Sequence, residues 1–188
     1  MFAVYSYVKP LLTEVTGLSV GLVPLVLALY GIGMTIGTVV GGRLADRSVL
    51  GTVIGSMVAT IVVLVAVALV GANPVPAVLS LVLLGVTSQV LGLSLQTRLM
   101  DVSPAAPSLG AALCHSALNL GNATGAFVGG LVIAGGLGYL APAWVGAILT
   151  AVGLVVVLVF GRGPVPVPSA SAGAEDRARD LAPQLSAR

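Results

Sequence analysis

Residues 109–127 read LGAALCHSALNLGNATGAF, and their reading decides the fold. They lie inside an uncharged run from 102 to 161, yet they hold His115, Asn119 and Asn122. Positions i, i+4 and i+7 fall on one stripe of a helix, because a helix turns by about 100° per residue. Beside that stripe Ala117, Gly121, Gly125 and Gly129 recur every fourth residue, a ladder of small side chains that lets a second helix approach closely. A polar stripe beside a glycine groove, in an otherwise apolar helix, predicts a membrane protein with something to bind or conduct.

The rest of the chain supports that prediction. Of its 188 residues 57% are hydrophobic and 7% are charged, whereas a soluble domain carries about 25% charged residues. No Asp, Glu, Lys or Arg occurs in residues 15–42, 48–97 or 102–161. Each gap exceeds the roughly 20 residues that span a bilayer. The last two gaps hold two spans each, divided by Asn73-Pro74-Val75-Pro76 and by Gly135-Gly136-Leu137-Gly138. The fold class is therefore an all-α membrane bundle of six transmembrane segments. Cys114 is the one cysteine, so an internal disulfide and a Cys-rich metal cluster are excluded. The formal charge of +2 reports membrane orientation rather than nucleic-acid binding. Phe2-Ala3-Val4-Tyr5 after Met1 has no basic run, so a cleavable signal peptide is not expected.

Taken in order, residues 1–12 are apolar but stop at Thr13-Glu14. A dozen residues reach only about 18 Å as a helix, against roughly 30 Å of hydrocarbon. This segment is either re-entrant or entered part-way, and Pro10 kinks or ends it. Residues 16–40 form the first full span, with Gly33, Gly37 and Gly41 open to tight packing. Residues 41–47, GGRLADR, form a charged loop. Residues 52–71 are Val-rich and are expected to face lipid and support the bundle. Residues 77–97 carry Thr87, Ser88, Gln89, Ser94 and Gln96 in their second half. Residues 98–107 form a second charged loop, with Ser103 and Ser108 as candidate caps. Residues 108–134 hold the opening stretch, and 141–160 form the last span, with Trp144 at its membrane interface. The domain is thus 1–161, and 162–188, rich in Pro, Ser, Ala and charge, reads as a disordered tail.

Charge sets the orientation. Arg43, Arg47, Arg98, Arg162, Arg177, Arg179 and Arg188 fall on one side, and Lys9 alone lies on the other. By the positive-inside rule the arginine loops and both termini are cytoplasmic, in a multi-pass protein of the cell membrane.

Four stretches resemble the C-terminal half of the major facilitator superfamily, in its bacterial drug/proton antiporters of the sugar or drug efflux type. They are YSYVKP (5–10) with TEVTG (13–17); GGRLADR (41–47); LQTR (95–98) with Met100 and Asp101; and NLGNATGA (119–126). The likeness runs from residue 1 to about 161, and its specificity lies in the order and spacing of all four. It implies helices seven to twelve of a twelve-helix transporter, with the first of them truncated. It also implies that Gly42, Arg43, Asp46 and Arg47 are a cytoplasmic gating loop. In the family that Asp holds a helix end in one transport state by charge–dipole attraction. Here Ser48-Val49-Leu50 follow where the family has a basic run, and the family's N-terminal signature motifs have no counterpart.

Two readings of each site stay open. His115, Asn119 and Asn122 form a polar wall of a translocation cavity, or the asparagines hydrogen-bond across helices and lock the bundle. With a helix starting near Ser108, His115 lies about 10 Å in and Asn119 about 16 Å in, near mid-bilayer. His115 is also a candidate proton carrier, although the resemblance implies carboxylates in that role. Tyr5 and Tyr7 are cavity aromatics or interface residues, and Gln89 lines the cavity or packs; Gly33, Gly37, Gly121, Gly125 and Gly129 are helix-packing positions. Asp46 is a gating residue or a solvated loop charge.

The function expected is proton-driven efflux of small organic molecules by alternating access, with no cofactor and no metal. The expected partners are the lipid bilayer, a small-molecule substrate, and either an N-terminal six-helix half or a second copy. An inactive fragment, or a six-helix protein working as a dimer without transport, are the alternatives. Nothing supports an enzyme: the chain has no phosphate loop, metal spacing or nucleophile–base pair.

Overall fold

The computed structural model describes residues 1–161, which form helices joined by short connections, with no strand among them. The tail expected at 162–188 lies outside the described residues. The chain opens with a broken segment: α1 (Phe2–Tyr5), α2 (Val8–Pro10) and a π-helical turn, Leu11–Val15. Five long helices follow: α3 (Val23–Ala45), α4 (Val49–Val70), α5 (Pro74–Asp101), α6 (Pro107–Val132) and α7 (Ala141–Phe160). All five are long and apolar enough to cross a membrane. Their charge-free interiors leave the backbone no partner but itself, which in lipid dictates helix.

Local chemistry sets the boundaries. Four of the five long helices open with Pro in their first two positions, where no intrahelical N–H is lost. The exception, α4, is capped by Ser48, whose Oγ accepts from the Gly51 N–H at 3.1 Å. Several boundaries differ from the sequence expectation. The span expected from residue 16 begins at Val23, because Gly17 at φ +74° and the extended Ser19 turn the chain first. Thr16 is held in that turn, its hydroxyl within hydrogen-bond distance of the Leu11 carbonyl (3.1 Å) and the Gly71 carbonyl (2.7 Å). Gly41, Gly42 and Arg43 are the last turns of α3 rather than loop, since nothing in them stops a helix, and the connection shrinks to Asp46–Ser48. Neither Ser103 nor Ser108 caps α6; Ala106 stands at that position and Pro107 opens the helix. At the far end of α6 a second π-helical turn, Ile133–Leu137, carries Gly136 at φ +81°, a left-handed conformation that suits glycine.

The broken segment is the hub of the core. Its Val4, Val8, Leu11 and Leu12 are buried among Val26 of α3, Leu64 and Val67 of α4, Leu81 and Leu84 of α5, and Ala143 and Ala147 of α7. A smaller cluster, Val53, Met57 and Leu91, fills the bundle nearer the arginine loops. Residues 52–71 support the bundle as expected, but less of their surface faces lipid than their composition suggests. One face of α4, from Val53 through Thr60 to Val67, is fully buried against α5 and α7, and Gly51, Gly55, Val58, Val62 and Leu69 point outward. Uniformly apolar sequence has no stripe to tell a core face from a lipid face.

The closest helix pair is α3 with α5. Gly33, Gly37 and Gly41 lie against Val82, Val86 and Val90, one step of four residues each. A Cβ on Gly37 would meet the Val86 carbonyl at 2.5 Å, and one on Gly85 would meet the Tyr30 carbonyl at 2.6 Å, so the two backbones nearly touch.

Candidate transport surface

Helix α6 presents three faces. Gly110, Cys114, Gly125 and Gly129 are buried against the rest of the bundle. Leu109, Leu113, Leu120, Phe127 and Leu131 form an exposed apolar face. Between the two runs the polar stripe: Asn122 is half-buried at the edge of the packed face, and His115 and Asn119 are exposed next to it. None of these three side chains hydrogen-bonds to another of the described residues. An amide left open at mid-helix is costly in hydrocarbon and needs either water or a second protein surface.

The broken segment supplies the neighbouring wall. Tyr7 donates from its hydroxyl to the Ala126 carbonyl of α6 at 3.0 Å, and its ring fits over Gly129, where a Cβ would stand 3.2 Å from the ring edge. Gly125 faces Ala3 in the same contact, whereas Gly121 has open space where its Cβ would be. Gly125 and Gly129 are therefore occupied by the broken segment, and Gly121 is exposed about 100° around the helix from Asn122, on the far flank of the packed face. Tyr5 is exposed, its ring 5.3 Å from Tyr30 of α3 and 5.8 Å from Phe2. These tilted aromatic pairs give an amphipathic patch with a high contact area. Sequence reading missed Tyr30, although its position three residues before Gly33 puts it on the glycine face of α3. Gln89 of α5 is half-buried, and its Cβ is 2.9 Å from where a Cβ on Gly37 would stand, so it sits at the α3–α5 seam rather than beside α6. The structure thus gathers Tyr7, Asn122, Gly125 and Gly129 at one contact and leaves His115 and Asn119 open beside it. It places Tyr5 and Gln89 apart, with α3.

The charged turn between α3 and α4 is simple. Arg43, Asp46 and Arg47 are exposed, and no ion pair joins them to each other or to other described residues. The Asp46 N–H closes α3 on the Gly42 carbonyl at 3.0 Å, and its carboxylate stands two residues before the Ser48 cap of α4, near the positive end of that helix. Residues 98–101, expected in the second charged loop, are the last turn of α5, and that turn is tied down: Arg98 Nη2 donates to the Gly161 carbonyl at 3.2 Å, joining α5 to the end of α7. No group of His, Cys, Asp and Glu able to hold a metal ion occurs among the described residues.

Five membrane-length helices around a broken segment, with an unpaired polar stripe, define a multi-pass membrane protein with the bundle of half a transporter fold. The chain belongs to the Major Facilitator Superfamily, whose family model matches residues 1–188. It is 38% identical over 162 residues to the inner membrane transport protein YdhP of Escherichia coli (strain K12), covering 86% of this chain and 42% of that protein. It is 32% identical over 160 residues to the chloramphenicol resistance protein of Streptomyces lividans, covering 85% and 41%. To the putative transporter AraJ of Escherichia coli (strain K12) it is 29% identical over 163 residues, covering 86% and 41%. The chain spans about two fifths of the length of these curated relatives.

Proposed function

We propose that this chain is the C-terminal six-helix half of a transporter that exports small organic molecules, without catalysing a reaction, by rocking against a second six-helix body. The observation that carries the reading is the open stripe of His115, Asn119 and Asn122. Three polar side chains on an apolar helix with no partner among the described residues fit a water-filled path at the junction of two bundles. The second body is an N-terminal half or another copy of this chain. The arginine-bearing turns face the cytoplasm of a cell (inner) membrane, with the gating loop at Gly42, Arg43, Asp46 and Arg47.

The coupling ion is the proton. Glu14, Asp46 and Asp101 are exposed outside the long charge-free runs, so His115 is the imidazole left on the polar stripe. An unchanged pH dependence of transport in His115→Ala would remove it as the carrier. One relative's name makes chloramphenicol the first substrate to try. The test is its accumulation in cells that make the tagged protein, against cells that lack it. Lower accumulation in the producing cells, lost in Asn119→Ala with Asn122→Ala, supports export. Equal accumulation across a panel of lipophilic drugs overturns it.

A further inference from the structure

A second concavity lies away from the polar stripe. It has a volume of about 470 Å³, within the usual range for ligand sites, roughly 300–1,000 Å³. Val40 and Leu44 of α3, Gly55 and Ala59 of α4, and Val86 and Val90 of α5 form its walls and floor. No residue of α6 lines it, so it is not part of the surface described above. It exists because α3 and α4 both pack on α5 but scarcely touch each other, and because Gly55 leaves empty space where a side chain would stand.

Its chemistry is nearly all hydrocarbon. The hydroxyls along it are spent on their own helices: Thr52 donates to the Ser48 carbonyl at 2.7 Å, Ser56 to the Val53 carbonyl at 3.0 Å, and Thr87 to the Leu84 carbonyl at 3.4 Å. Water would find few partners there, and a cavity needs several polar groups to hold water. One end is different. Arg47 and Ser48 close the groove at the α3–α4 turn, and Arg47 is exposed with no ion pair among the described residues. From Ser48 to Ala59 the groove follows about 16 Å of helix, close to the depth of one hydrocarbon leaflet, half of roughly 30 Å.

We infer that this groove binds one anionic phospholipid, an acyl chain lying along Gly55 between α3 and α4 and the phosphate held at Arg47. Depth, apolarity and charge each match that occupant. The groove is one leaflet deep, its walls offer no free hydrogen-bonding group, and its single unpaired cation stands at the headgroup level, where arginine reaches out of the apolar zone. The turn of Arg43, Asp46 and Arg47 carries a net positive charge, which selects phosphatidylglycerol over a zwitterionic lipid of the same chain length. Because α3 joins this groove to the α3–α4 turn, an occupying lipid braces the turn from the membrane side.

Native mass spectrometry of the delipidated full chain, titrated with phosphatidylglycerol or phosphatidylcholine, tests the inference. Wild type should retain one phosphatidylglycerol with about fivefold preference, the worth of one arginine at a lipid surface. Arg47→Gln should bind the two lipids equally. Gly55→Leu fills the groove without meeting another atom at its Cβ, and should lose the bound lipid while the chain stays helical. Gly31→Leu, also unobstructed but outside the groove, should behave as wild type. Equal affinity of wild type for the two lipids, or undiminished binding by Gly55→Leu, would overturn the assignment. So would a dimer that Gly55→Leu dissociates without any bound lipid, since the occupant would then be protein.

Discussion

The Tyr7 hydroxyl hydrogen-bonds to the Ala126 carbonyl across 119 positions of sequence, at 3.0 Å. Its acceptor lies within α6, four residues beyond Asn122. The bond fixes the broken first segment against α6 one turn past the end of the polar stripe, so the position of that stripe depends on a residue from the other end of the domain. Tyr7→Phe keeps the ring over Gly129 and removes only the hydroxyl. It should cost about 1 kcal/mol, read as a small loss of thermal stability in detergent with the helical content unchanged.

The α3–α5 seam is far less tolerant. A Cβ at Gly37 meets the Val86 carbonyl at 2.5 Å, and backbone cannot yield as a flexible side chain does. Gly37→Leu should destabilise by about 1–3 kcal/mol or more, the usual cost of overpacking. Gly42→Leu, within the last turn of the same helix, has open space at its Cβ and should be tolerated. Thermal stability of the two variants, measured side by side in one detergent, checks the contrast.

Thr16 makes the turn before α3 depend on the end of α4. Its hydroxyl is buried and 2.7 Å from the Gly71 carbonyl. Thr16→Val preserves shape but strands that carbonyl, at a cost of about 1–3 kcal/mol. Protease susceptibility of residues 16–22 in membrane vesicles should rise, while Ser19→Ala, whose side chain caps nothing, should change little.

The polar stripe should behave in the opposite way to these packing residues. Asn119 and Asn122 hold no hydrogen bond among the described residues, so Asn→Ala at either site should leave stability nearly unchanged. Transport should fall, each substitution costing about five- to tenfold, equivalent to about 1–1.5 kcal/mol at the rate-limiting step. A drug-accumulation assay paired with a melting curve separates the two effects. Loss of stability with transport intact would assign the asparagines to bundle packing.

Much of this architecture is legible in the residues. Three long charge-free runs give the five spans, and the Gly33–Gly37–Gly41 repeat marks a face that admits a close neighbour. The neighbour itself is not legible, because Val82, Val86 and Val90 look like any other valines in lipid-compatible sequence. The same uniformity hides the buried face of α4. Pro10 signals that the first segment breaks, but the π-helical turn after it depends on Thr16 meeting Gly71, 55 positions away. At the candidate site the stripe of His115, Asn119 and Asn122 can be placed by helical phase alone. Tyr30 beside Tyr5 and the groove ending at Arg47 cannot, since each depends on which helices pack together.

Cysteine labelling measures whether that stripe faces water. In a Cys114→Ser background, Asn119→Cys and Leu120→Cys are treated with a membrane-impermeant maleimide in vesicles of either orientation. The two positions are adjacent, both exposed in the bundle, and on different faces of α6. Asn119→Cys should react, more slowly when substrate is present, and Leu120→Cys, facing lipid, should not. Labelling of Leu120→Cys alone, or of neither, would contradict a wet path along His115, Asn119 and Asn122.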